Sequence, residues 1–166
     1  MTDSETGKVA SSWNKFLEAC RPYSGSIVRI AMALVFLWFG ISQIVSPDTF
    51  MGYLPSWALA APTGGGMMGS MNTMMHSMVQ LIPGKATGFL AVNGIVEIIL
   101  GTFLLLGYWR RTAAALLGLH LLAIAISLGY NDVAIRDVGL SLATFSAVFA
   151  SDDPLTLKNL LKRQPQ

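Results

Sequence analysis

Four apolar stretches, each of a length suited to crossing a bilayer, take up most of the 166-residue chain, and Glu97 sits near the middle of the second. A carboxylate at that depth costs a few kcal/mol on insertion scales, so it faces the interior of a bundle and has a partner. The stretches run from Ile27 to Val45, Ala86 to Trp109, Thr112 to Tyr130, and roughly Val138 to Ala150. A hydrocarbon core of about 30 Å needs about 20 helical residues. The first three runs meet this directly; the fourth does so only with Arg136 and Asp137 at the interface. A hydrophobic content of 53% with only 12% charged residues takes the chain outside the soluble class.

Lysine and arginine placement sets orientation. Lys8, Lys15 and Arg21 precede the first run, Arg110 and Arg111 fill the tight link between the second and third, and Lys158, Lys162 and Arg163 follow the fourth. The opposite side carries Lys85 and Arg136. This predicts a multi-pass protein of a prokaryotic plasma membrane with both termini cytoplasmic. Tyr23, Tyr108 and Trp109 then fall at the inner interface, and Tyr53, Trp57 and Tyr130 at the outer one. A signal peptide cleaved near Ala58-Leu59-Ala60 is the rival reading of the first run, but that run has full span length and lies well before the site. A single cysteine, Cys20, rules out an intrachain disulfide and any Cys-x-x-Cys motif. The net charge of +2 follows from the inner-face cations and is no sign of nucleic-acid binding.

The expected architecture is therefore all-α: an integral membrane four-helix bundle in one domain, 1–166. Residues 1–24 form an amphipathic segment, 25–45, 86–109, 112–130 and 136–151 the spans, 46–85 an extracytoplasmic loop, and 152–166 a basic tail. In the first segment Val9, Trp13, Phe16, Leu17 and Cys20 fall at helical spacing opposite Lys15 and Glu18, with Ser11 or Ser12 as cap. The tail repeats the device: Asp152 or Asp153 caps, Leu157, Leu160 and Leu161 face one way, and its cations meet lipid headgroups.

The loop carries Met67, Met71, Met74, Met75 and Met78 at offsets that a helix would stack on one face, with His76 projecting elsewhere. A loop this long without structure is uncommon, which favours a short helix or cap here. Thioethers are soft ligands suited to Cu(I). Methionine also fills irregular packing surfaces, and a partner-binding face is the third reading.

Polar residues inside the runs form a constellation. Asn93, Glu97 and Gly101 share a face of the second run, and Arg29, Ala33, Phe36, Gly40 and Gln43 share one of the first. On the third, Ala113, Leu116, His120, Ala123 and Ser127 form a comparable stripe. From a rise of about 1.5 Å per residue, Glu97 lies about 15 Å and His120 about 12 Å from the same end. The two meet at nearly one level, and the long Arg29 side chain is placed to snorkel or reach up to Glu97. Three roles stay open for Arg29, Gln43, Asn93, Glu97 and His120: a register-fixing polar contact, a site for a quinone or small polar ligand, and a proton pathway. One His with one Glu is too small a set for a structural metal site. Arg136 and Asp137 cap the fourth helix or line an outer vestibule.

With these residues placed, the chain resembles the DoxX family of small four-span membrane proteins. The resemblance rests on Gly40 to Gln43 at the end of the first run, then Phe50 and Gly52. It continues through Glu97-Ile-Ile-Leu-Gly101, Leu-Leu-Gly107, Arg110-Arg111-Thr-Ala, Arg136-Asp137-Val-Gly-Leu and the closing Asp-Asp-Pro-Leu-Thr-Leu-Lys. It implies a membrane four-helix bundle associated with redox enzymes, relatives including the membrane subunit of thiosulfate:quinone oxidoreductase and proteins that work beside superoxide- or thiol-stress enzymes. The Met-rich loop departs from that pattern and suggests a specialised partner, a larger membrane complex or a copper enzyme. The expected role is a membrane accessory or anchor subunit of a quinone-linked or other redox complex, in contact with lipid and with other redox subunits. No haem, flavin or iron–sulfur ligand set is visible, so the chain is not expected to transfer electrons alone. Copper handling and a purely structural role are the alternatives.

Overall fold

The residues that are buried and those that are exposed reverse the pattern of a water-soluble helix. Helix α7 (Asp132–Phe149) buries Ala134, Asp137, Ser141, Thr144 and Ala147 and turns Ile135, Val138, Leu142 and Phe149 outward. Helix α2 (Ser24–Val45) buries Ser26, Arg29, Met32, Ala33, Phe36, Gly40 and Gln43 while Trp38 is 72% exposed. Small and polar side chains inside with bulky apolar ones outside is the arrangement expected where the surroundings are as apolar as leucine. The computed structural model describes residues 3–150 and 153–162, with side chains from residue 11 onward.

All regular structure among the described residues is helical. Helix α1 (Asp3–Cys20) leads through a 3-10 turn, Arg21–Tyr23, into α2. A second 3-10 segment, Pro47–Tyr53, and the short α3 (Ser56–Leu59) precede the Met-rich α4 (Gly66–Leu81). Then follow α5 (Ala86–Leu106), α6 (Arg110–Leu128), α7 and the short α8 (Leu157–Lys162). Three helical stretches are long and apolar enough to cross a membrane: Ser11–Val45, Ala86–Leu106 and Arg110–Leu128. Helix α7 falls short of that measure because Asp132, Arg136 and Asp137 occupy its first two turns.

The helices α2, α5, α6 and α7 pack in a ring, each touching the next, with α2–α5 and α6–α7 the closest pairs. Their direction alternates. The start of α2, the end of α5, the start of α6 and the end of α7 gather at one end of the ring, beside the Asp153–Thr156 segment that leads into α8, and there Arg110 donates to the Ala150 carbonyl at 2.7 Å. Helices α3 and α4 lie at the other end. The α2–α5 contact is set by Gly40 against Gly94: a Cβ on either would come within 2.7 Å of the other's carbonyl oxygen. Backbones approach this closely only where both positions lack a side chain.

The link between α5 and α6 is Gly107–Trp109, and Arg110 and Arg111 open α6 rather than filling the turn. Gly107 adopts φ +70° and donates to the Leu104 carbonyl, while Tyr108 donates to Phe103, so a left-handed glycine ends α5. The α6 stripe differs from the sequence expectation. Its buried face is Ala113, Ala114, Leu117, Gly118, Leu121 and Ala125, whereas Leu116 is half exposed. Gly118 admits the Phe145 ring, 3.0 Å from where its Cβ would stand, and this contact fixes the rotation of α6.

The expected caps also move. Helix α1 runs unbroken through Ser11 and Ser12, so neither caps it. Its Trp13 and Phe16 stack with centroids 5.6 Å apart and remain more than half exposed. Thr156 Oγ1 accepts from Asn159 N at the start of α8, and Asp153 is taken up by other partners. Asp152 and Arg163 lie outside the described residues, as does the Val9 side chain.

Candidate functional site

Glu97 projects from α5 into the ring and is 3% exposed. Both of its carboxylate oxygens accept from side-chain amides: Oε2 from Gln43 Nε2 at 3.0 Å and Oε1 from Asn93 Nδ2 at 2.9 Å. Asn93 Nδ2 also donates to Gln43 Oε1 at 2.8 Å, closing a three-residue network between α2 and α5. The spacing of Asn93 and Glu97, one helical turn, makes this possible. Across the ring, His120 Nε2 on α6 stands 3.5 Å from Glu97 Oε1. It is out of line for a hydrogen bond, and this buried nitrogen has no hydrogen-bonding partner among the described residues. The near-equal depth expected for Glu97 and His120 is thus matched by a close approach.

These four residues line the inner part of a cleft of about 520 Å³. Its walls are apolar and aromatic: Phe36 and Phe39 from α2, Phe89 and Leu90 from α5, Leu121 and Ile124 from α6. Phe50, Tyr53, Trp57 and Met75 line its far end, toward α3 and α4. Arg136 and Asp137 bring α7 into the same lining. Arg136 Nε donates to Asp137 Oδ1 at 2.9 Å, Nη2 stands 2.8 Å from the same oxygen as an ion pair, and the guanidinium carbon lies 5.5 Å from the Phe39 ring centre. All four long helices therefore contribute a polar side chain to one cleft.

Arg29 does not join them. Helical side chains lean toward the N-terminus of their own helix, and for α2 that direction is the α8 end, away from Glu97. There Arg29 Nε donates to Asp153 Oδ2 at 2.6 Å, Nη2 to the Leu155 carbonyl, and Nη1 to the carbonyls of Leu104 and Leu105. Ser26 Oγ donates to Asp153 Oδ1 at 2.6 Å. Burial pushes the Asp153 carboxyl up, but the Ser26 hydroxyl and the Arg29 guanidinium outweigh it and hold the group below the usual aspartate value. The sequence reading missed Asp153 as the partner; its signal was an acid just before Pro154, which that reading took for a helix cap.

The methionines lie on α4, which buries only Gly69 and Val79. Met67, Met71, Met74 and Met78 are half exposed or more, and Met75 turns to the cleft. His76 Nδ1 lies 2.8 Å from the Trp57 carbonyl oxygen, which ties α4 to α3 and commits that nitrogen.

The profile of the DoxX family matches residues 25–129, more than half of the chain. The chain belongs to the DoxX family. The matched region contains Gln43, Asn93, Glu97 and His120, and it stops before α7, so the Arg136–Asp137 contribution lies beyond it. The chain is also similar to an uncharacterized membrane protein of Mycobacterium tuberculosis, with 32% identity over 117 residues, 66% of this chain and 53% of that protein. This DoxX member thus spans about half the length of the curated relative it matches. No solved structure matches it significantly. Together with the helices of spanning length, the family makes this a membrane protein with the cleft inside its apolar bundle.

Proposed function

We propose that this DoxX protein is a membrane accessory subunit of a quinone-linked redox complex, and that its cleft receives a quinone-type ring. The observation that carries this reading is the unequal state of the two central groups. Both Glu97 oxygens are engaged by amides, whereas His120 Nε2 at the cleft floor has no hydrogen-bonding partner among the described residues. A neutral imidazole can present Nε2–H to a ring carbonyl or accept from a ring hydroxyl, so this atom suits a ligand that interconverts between the two. Glu97 Oε1 stands 3.5 Å from this nitrogen, beside any ring bound there. Apolar walls with a few convergent polar groups, and a volume inside the usual ligand range of roughly 300–1,000 Å³, fit a substituted ring. In this reading the electrons come from a partner's redox centre, since one cysteine is too few to hold an iron–sulfur cluster.

The lysine and arginine pattern supports a cytoplasmic α8 end in this reading, with α7 as a fourth span and α1 and α8 on the inner leaflet through their exposed apolar faces. The test of the ring site uses a variant in which the exposed Trp13, Trp38 and Trp109 are phenylalanine, leaving Trp57 in the cleft wall as reporter. A short-chain quinone should quench its emission saturably. His120→Ala should weaken binding about tenfold, the loss of about 1.4 kcal/mol, within the range of one hydrogen bond. Absence of saturable quenching removes the ring from this site.

A second reading is supported by the exposure of α4. Methionines that fill no space within the chain are available to a soft metal, and Cu(I) bound by Met71, Met74 and Met78 is the alternative role.

A further inference from the structure

The cleft has a floor, and the floor lies at one level on every helix. Its deepest residues are Val35 and Phe36 on α2, Glu97 on α5, His120 on α6 and Leu140 on α7, and the remaining lining lies on the α4 side of these. Toward α8 the ring is filled by Met32, Ala33, Leu104, Ala113, Ala114, Leu117 and Ala147, none more than 4% exposed. That layer carries no polar side chain connecting the floor to the Arg29–Asp153 cluster among the described residues: the Ser141 hydroxyl is spent on the Gly118 carbonyl and the Thr144 hydroxyl on Leu140. Toward α4 the lining becomes exposed, with Tyr53 at 53% and the Arg136 side chain at 49%.

We infer that the Gln43–Asn93–Glu97–His120 cluster communicates with one side of the membrane only, the α4 side, and that both its ligand's polar edge and the protons it exchanges use that route. A close-packed apolar layer two to three turns thick leaves no room for a water chain, and water enters a cavity only where polar groups hold it. Water reaching the floor from the α4 end would meet Arg136 and Asp137 first. A reaction at His120 Nε2 that releases a proton therefore delivers it to the α4 side, and one that takes up a proton draws it from there. The inference follows from the shape of the cleft and holds whether or not the ligand is a quinone.

Single cysteines in a Cys20→Ser background, in sealed proteoliposomes, test it with a charged, impermeant methanethiosulfonate. Gly65→Cys marks the α4 side and Lys158→Cys the α8 side. Ala123→Cys and Ser127→Cys lie on the cleft wall, and Ala113→Cys lies in the sealing layer. Vesicles that expose Gly65→Cys to the reagent should label Ala123→Cys and Ser127→Cys; vesicles of the other orientation should label them at least tenfold more slowly. Ala113→Cys should stay unlabelled from both sides. Labelling of Ala123→Cys from the Lys158 side, or from neither side, overturns the inference. A short-chain quinone added to the labelling reaction separates this from the ring site: one-sided labelling without protection by the quinone leaves the route standing and removes the quinone.

Discussion

Two buried carboxylates make opposite use of their surroundings. Asp153 is held by a hydroxyl and a guanidinium that favour its charged form, and it ties the α7–α8 junction to α2. Because its folded value lies below the ordinary 3.8, its stabilisation is complete above that value and is lost as pH falls through the lower folded one. Thermal unfolding in detergent should show the parent losing stability below about pH 4. Asp153→Asn, with no carboxylate to protonate, should start about 3–5 kcal/mol lower because Arg29 is left buried and uncompensated, and should change less in that window. Equal profiles for the two proteins would show that the cluster contributes nothing. Glu97 instead accepts from two amides. Glu97→Leu strands both donors at about 1–3 kcal/mol each, while Glu97→Gln keeps an acceptor and should retain more stability. A Glu97→Leu protein as stable as the parent, with quinone binding unchanged, would mean the network serves neither packing nor ligand. The nearness of Glu97 and His120 was legible in the sequence because helical rise alone sets both depths. The partner of Arg29 was not, because the lean of its side chain toward the start of α2 matters more than its length.

Individual helices were legible to the extent that their faces differ chemically. The α2 stripe of Arg29, Ala33, Phe36, Gly40 and Gln43 is buried throughout, since polar and small residues stand out against an apolar background. Helix α6 is apolar or small almost all round, so periodicity could not orient it, and the Gly118–Phe145 contact decides its rotation. Glycines of equal sequence character separate in the same way. Gly94→Ala would drive a methyl to 2.6 Å from the Gly40 carbonyl and part α2 from α5, breaking the Gln43–Glu97 bond as it does so. Gly139 on α7 has nothing within 4 Å of its Cβ position. Thermal unfolding should therefore fall markedly for Gly94→Ala and hold or rise by up to about 1 kcal/mol for Gly139→Ala. On α4 the exposed methionines divide a metal role from a docking role. Competition with a Cu(I) chelator should show loss of binding in a Met71/Met74/Met78→Leu protein if they are ligands, and the parent's binding should survive mildly acid pH because thioethers do not protonate. Negligible copper in both proteins would leave those side chains as a surface for a partner.

At the scale of the molecule, the question is how many times the chain crosses. Three helical stretches have the length and hydropathy of spans, and α7 carries three charges in its first two turns. Those charges do not exclude a crossing. Asp137 is 4% exposed and paired with Arg136, both line the cleft, and the large apolar residues Ile135, Val138, Leu142 and Phe149 face outward. Asp132 stands at the very start of α7, Arg136 is half exposed but paired, and the Ser146 hydroxyl is bonded to the Ala143 carbonyl, so a helix of modest average hydropathy can still span. Its alternating direction in the ring also places its two ends beside the opposite ends of α6. Reporter fusions decide the matter: fusions at Gly65 and Asn131 should report the outer side and a fusion at Gln166 the cytoplasm, as the distribution of lysine and arginine requires. If Asn131 and Gln166 report the same side, α7 does not cross and the bundle has three spans. If Gly65 reports the cytoplasm, the whole orientation inverts, and the cleft with its one-sided floor opens inward instead of out.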